Sequence, residues 1–222
     1  MRIPLLLVNF KVYEEVTSRG SLWLAKACRE VAEEMGVSVA VAPPSSDLAL
    51  ISSQVSLPVL AQHVDYVSAG SFTGYLPPEG LLGAGAVGSL LNHAEHRLSL
   101  KDLNGLVGRL RQLGLETVVC ADRPQAAGRI AKMRPDFIAI EPPELIGGKI
   151  SVTTAKPEVI SRGVKAVEKG SPKTHVLCGA GVKSGKDVRR ALELGTEGVL
   201  LASGVVLARD PSKALRDLCS GF

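Results

Sequence analysis

Glu141 closes an apolar run, Phe137-Ile138-Ala139-Ile140, and opens into Pro142-Pro143-Glu144-Leu145-Ile146-Gly147-Gly148. A buried strand that ends on a carboxylate and breaks into a loop bounded by Pro and Gly is how a barrel enzyme presents a base beneath a lid. Two other apolar runs end in the same style. Leu5–Val8 continues into Asn9-Phe10-Lys11, and Val87–Leu91 continues into Asn92-His93. Taken singly, a histidine after a strand is more often structural and a lysine more often solvated. A base, a cation and an imidazole at three strand ends form a constellation, on the face where barrel enzymes keep their sites.

Signals for an anion follow further along. Gly179-Ala-Gly181-Val-Lys-Ser-Gly185 and Ala202-Ser203-Gly204 each come directly after an apolar run. Small residues there let backbone N–H groups approach a phosphate, and a short helix beginning near Ser203 would aim its positive end at it. The chain has no GxGxxG and no GxxxxGK[ST], so dinucleotides and nucleoside triphosphates are not indicated.

These ends need elements to carry them. Eight short apolar runs lack polar alternation: Ile3–Val8, Val37–Ala42, Leu57–Ala61, Ala86–Leu91, Thr117–Ala121, Phe137–Ile140, His175–Cys178 and Gly198–Leu201. Burial on both faces, and hence a parallel sheet, explains that pattern. Leu24, Cys28, Val31 and Met35 form one stripe of a helix over about 21–35. Similar stripes run through Leu103–Leu113, Val159–Val167 and Val188–Leu192, while Ser46–Ser53 and Pro77–Leu82 are weaker helical segments. Gly36, Gly114 and Gly195 follow three of the helices, where a left-handed cap suits a residue without Cβ. The expected architecture is α/β, a closed (β/α)8 barrel in one domain over residues 1–222. A doubly wound open sheet is the alternative, because periodicity does not show closure.

The totals agree with a single barrel. The chain has 222 residues, 45% of them hydrophobic and only 4% aromatic, so Val, Leu, Ile and Ala must build the core. Its net charge of +4 is spread along the chain with no basic run interleaved with aromatics, which argues against nucleic acid. Cys28, Cys120, Cys178 and Cys219 lie far apart without metal-binding spacing, as expected of small buried hydrophobes in a reducing, cytoplasmic compartment. The N-terminal apolar stretch is too short for a signal peptide or a membrane span.

Taken in order, these motifs resemble the triosephosphate isomerase family, in its shorter archaeal form, over nearly the whole chain. Asn9-Phe10-Lys11 matches the family's Asn-x-Lys, His93-Ala94-Glu95 its His-Ser-Glu, and Glu141-Pro142 the Glu-Pro that opens its lid. Gln62-His63 and Ala69–Gly74 also fall in order. The resemblance implies an aldose–ketose isomerase of triose phosphates with no cofactor and no metal. It implies Glu141 as the base, neutral His93 as the electrophile, and Lys11 as the cation that stabilises negative charge. It further implies that Asn9 orients the substrate and that Ile146, Gly147, Gly181, Ala202 and Ser203 hold the phosphate. Glu95 would support Lys11, and Thr73 would support Asn9 and Lys11 of a neighbouring subunit, in a dimer or tetramer.

The sequence also departs from the family pattern. Ala94 replaces the usual serine, His96 the usual arginine, and Gly181 a phosphate-contacting serine. Ala202-Ser203 stands for a Gly-Gly pair, Tyr75 for a common glutamate, and the lid lacks its frequent tryptophan. None of these changes deletes a group expected to do chemistry.

Overall fold

In a computed structural model describing residues 1–17, 20–146, 148 and 151–222, the eight runs become eight parallel strands. They are β1 (Leu5–Asn9), β2 (Ser38–Ala42), β3 (Leu60–Ala61), β4 (Gly88–Leu91), β5 (Glu116–Ala121), β6 (Phe137–Ile140), β7 (His175–Cys178) and β8 (Gly198–Leu201). Their order is β2-β1-β8-β7-β6-β5-β4-β3. The two ends of that ladder meet at a bridge between Val41 and Val59, where the Val41 N–H donates to the Pro58 carbonyl at 3.1 Å. The sheet therefore closes on itself, and the open doubly wound alternative falls.

Several strands are shorter than the apolar runs that announce them. β1 begins at Leu5 because Pro4 offers no N–H to a ladder, and it extends one residue further, to Asn9. β3 keeps only Leu60 and Ala61, since Pro58 interrupts the run. β4 begins at Gly88 rather than Ala86.

Alternation along the strands sorts the core into two shells. Leu5, Leu7, Leu90, Val118, Phe137, Ala139, Leu177 and Leu200 belong to a cluster drawn almost wholly from strands, the barrel interior. Leu6, Val8, Val41, Val119, Ile138 and Ile140 pack outward with helical residues such as Leu24, Leu106, Ile160 and Leu215.

The outer layer consists of α1 (Gly20–Met35), α2 (Leu48–Gln54), α3 (Pro78–Gly83), α4 (Leu100–Gln112), α5 (Pro124–Ala131), α6 (Val152–Ala155), α7 (Pro157–Gly170), α8 (Gly185–Glu193), α9 (Ser203–Val206) and α10 (Pro211–Cys219). The stripes expected for α1, α4, α7 and α8 lie on the buried faces of those helices, except that Met35 at the end of α1 is exposed. Gly36, Gly114 and Gly195 take φ of 66°, 72° and 93°, as left-handed caps do. The sequence pattern does not announce α5 and α10. α5 buries Ala127, Ile130 and Ala131, and α10 buries Leu215, Leu218 and Cys219, faces too small to stand out as stripes. Among the described residues no helix is long and apolar enough to cross a membrane.

Candidate active site

The two-residue period of the inner face carries on past the strand ends. Phe137 and Ala139 point inward, so the next inward position on β6 is Glu141. By the same count Leu5 and Leu7 lead to Asn9, Leu177 to Gly179, and Leu200 to Ala202. These four residues form the top layer of the interior. β4 arrives differently. Asn92 takes a left-handed φ of 59°. Its side chain fixes the turn, with Nδ2 donating to the Cys120 carbonyl at 3.0 Å and Oδ1 accepting from the Leu98 N–H at 3.1 Å. That turn brings His93 to the cavity wall.

His93 and Glu141 are both buried, 7% and 6% exposed. Their Nε2 and Oε2 atoms stand 3.8 Å apart, too far for a hydrogen bond. The Glu95 backbone N–H donates to His93 Nδ1 at 3.2 Å, which assigns the proton of a neutral ring to Nε2, facing Glu141. Glu141 Oε2 makes no hydrogen bond among the described residues, although its atom is buried. Burial, with the Glu141 carboxylate as the next cause, pushes the Cys120 thiol well above its usual range. The same two causes act on Cys178, with a smaller contribution from Asp187.

Lys11 is fixed at several points. It too has a left-handed φ, 52°, which costs a non-glycine residue about 1–2 kcal/mol. Its N–H donates to Asn9 Oδ1 at 2.9 Å, and Gln62 Nε2 donates to its carbonyl and to that of Ala42, each at 3.0 Å. Its ammonium donates to Glu95 Oε1 at 2.6 Å. Asn9 thus shapes the Lys11 turn, a role that the sequence does not announce.

One cavity is lined by Asn9, Lys11, His93, Glu141, Ile146, Gly181, Ala202 and Ser203. Eight of the expected site residues therefore meet in one place. Gly147 lies outside the described residues. Glu95 reaches the site through the Lys11 ammonium and through its own backbone N–H on His93, and Thr73 sits on an exposed loop and does not line its own chain's cavity. Tyr13 also lines the wall and is not singled out by the sequence; its one signal is lying two residues beyond Lys11.

The far wall is backbone. Ala180 and Gly181 have φ of 70° and 74°, a pair of left-handed residues that exposes main chain. Ala202 has φ −135°, outside the left-handed region, and α9 begins at Ser203. Gly179, read from sequence as part of a phosphate turn, makes room for the base instead, since a Cβ there would lie 2.2 Å from Glu141 Cγ. Between the cavity residues Glu141 and Ile146, Pro143–Leu145 forms a single helical turn. Glu144 in that turn pairs with Lys156, which holds its carboxyl below the usual range.

Comparison with known proteins adds an independent line. The family model described as triosephosphate isomerase matches residues 4–220. The triosephosphate isomerase of Methanothermus fervidus is 49% identical over 215 residues, covering 97% of each chain. That of Methanosarcina barkeri is 47% identical over 218 residues, covering 98% of each. That of Methanocaldococcus jannaschii is 44% identical over 214 residues, covering 96% of this chain and 98% of its own.

Proposed function

Because the chain belongs to the triosephosphate isomerase family, we propose that it interconverts dihydroxyacetone phosphate and glyceraldehyde 3-phosphate, with Glu141 as base. The observation that carries this reading is the pair across the cavity: a buried carboxylate oxygen without a hydrogen bond among the described residues, 3.8 Å from an imidazole nitrogen. The family is itself the standing example of a glutamate base beside a neutral histidine.

A carbon next to a carbonyl is far too weak an acid for a carboxylate to deprotonate in water. Glu141 Oε2 takes the proton from the hydroxyl-bearing carbon, and the C–H electrons pass into an enediolate. His93 gives its Nε2 proton to the carbonyl oxygen and recovers one from the neighbouring oxygen. Glu141 then returns its proton to the adjacent carbon. A placed base contributes on the order of 10²–10⁴-fold, and loss of one oxyanion donor costs about 10²–10³-fold. The Lys11 ammonium balances the developing charge. Gly181, Ala202 and Ser203, together with lid backbone near Ile146 and Gly147, hold the phosphate, which requires no cofactor and no metal. Water in the site would let the enediolate expel phosphate, so the loop after Glu141 serves as a lid.

The same reading makes residues 1–222 one barrel domain that works in the cytoplasm, where four buried free thiols stay reduced. It also makes the protein a dimer or tetramer. Phe72 and Tyr75 are 50% and 52% exposed and pack edge to face at 5.5 Å, an aromatic loop tip suited to burial against a second copy. Thr73 on that tip would then support Asn9 and Lys11 of the neighbour.

Incubation with dihydroxyacetone phosphate in D₂O, followed by NMR, tests the reading. An isomerase forms the aldehyde and incorporates deuterium. Cleavage products would indicate a lyase, and line broadening alone a binding protein; either result overturns the proposal.

A further inference from the structure

Lys11 is gripped from two sides, by Gln62 at its carbonyl and by Glu95 at its ammonium. Each gripping residue is followed in the chain by a histidine, and those two rings, His63 and His96, stack with centroids 3.6 Å apart and planes 15° from parallel. Nothing in the reaction described above uses either ring. We propose that His63 and His96 are positioning residues: their stack clasps the two arms that hold Lys11, and acidification opens the clasp. The proposal rests on the reading of Lys11 as the cation of the site.

Each ring is anchored on its own side. His63 is largely buried, with Nε2 3.4 Å from Asp65 Oδ1. Asp65 in turn ties the base of the exposed aromatic loop, accepting from the Leu76 N–H at 2.8 Å and donating its own N–H to the Leu76 carbonyl at 2.9 Å. The His96 N–H donates to the His93 carbonyl at 2.9 Å, which places its ring one residue beyond Glu95 and three beyond the electrophile. The stack therefore ties together the segments that follow the paired strands β3 and β4, beyond the point where their ladder ends.

The charges facing the pair decide its response to pH. Asp65 faces His63, Glu95 and Lys11 adjoin His96, and His93 lies behind the same turn. Burial first, and then His96, hold the His63 pKa below its ordinary value, against the pull of Asp65. Neutral rings stack without penalty. One protonated ring is still accommodated, by its neutral partner and by Asp65. Two imidazolium rings at 3.6 Å repel, and the stack must separate. With the clasp open, Gln62 and Glu95 are no longer held in register, and the Lys11 ammonium loses its fixed place.

Two measurements test this. In the unmodified protein, NMR titration of the histidine ring protons should show His63 and His96 titrating as a coupled pair, each curve displaced by the other. Independent titrations would overturn the proposal, whatever the activity. In kinetics, His96→Ala should lower kcat/KM by on the order of 10-fold at mildly alkaline pH, within the roughly 10²-fold that a misplacement of about 1 Å can cost. His96→Phe keeps a ring without a proton. It should recover most of that loss and move the acid limb of the pH profile down by about one unit, the coupling of an interacting pair. Equal kcat/KM in His96→Ala and wild type, or no recovery in His96→Phe, would overturn the clasp alone. Absence of turnover in the wild-type protein would overturn the isomerase reading and the clasp with it.

Discussion

Gly179 stands flat against the side chain of Glu141: a Cβ at position 179 would lie 2.2 Å from Glu141 Cγ and 2.8 Å from its Oε1. The end of β7 is kept bare so that the carboxylate at the end of β6 can occupy the inner face. Gly179→Ala should therefore displace the base. We expect kcat to fall on the order of 10²-fold, the cost of about 1 Å of misplacement. The thermal transition should stay cooperative, because the clash falls on a side chain at the barrel rim. Steady-state kinetics and calorimetry on the variant check both.

A different outcome is expected at Gly198. Its φ of 152° favours glycine, and a Cβ would meet the Leu5 carbonyl oxygen at 2.1 Å, a backbone atom that has little room to move. This is the seam between β8 and β1. Gly198→Ala should lose about 3 kcal/mol or more of stability, the sum of backbone strain and overpacking. Chemical denaturation would show it as a lower midpoint. A midpoint equal to wild type would mean that the seam relaxes freely.

These two glycines also mark what the sequence shows and what it leaves unsaid. β6, β7 and β8 are readable to the residue: the apolar runs 137–140, 175–178 and 198–201 coincide with the strands. Glu141 is readable as an inner-face residue by counting from Phe137 and Ala139. The reason for Gly179 is not, since a glycine needed for a neighbour's side chain looks the same in sequence as one needed for a turn. His93 reaches the cavity through the left-handed turn at Asn92, a conformation that no local pattern announces. Tyr13 and the grip of Gln62 on Lys11 escape the sequence because both depend on which loops the closed barrel brings together. α5 escapes it because its buried face is mostly alanine, and α10 because its face is only Leu215, Leu218 and Cys219, less than two turns of a stripe.

Stability should carry a pH signature from the surface pair that joins α1 to α10. Arg216 Nε donates to both Glu34 oxygens at 3.0 Å, and its NH2 donates to Oε2 at 2.8 Å. That hydrogen bonding holds the Glu34 carboxyl below its ordinary value. Between the folded and unfolded pKa values the unfolded chain binds more protons, so stability rises with pH there. The contribution is complete above the ordinary glutamate range and is lost as pH falls through the lowered folded value. Glu34→Gln should melt below wild type at neutral pH, and the gap should close in acid. A gap independent of pH would assign the difference to packing.

Base catalysis by Glu141 is tested most directly by turnover and binding in Glu141→Gln. The amide keeps the shape of the side chain but cannot take a proton from carbon. The expected result is a fall in kcat on the order of 10²–10⁴-fold, with inorganic phosphate still bound near wild-type affinity in calorimetry. Near-normal turnover by that variant would contradict it, and the base would have to be sought elsewhere.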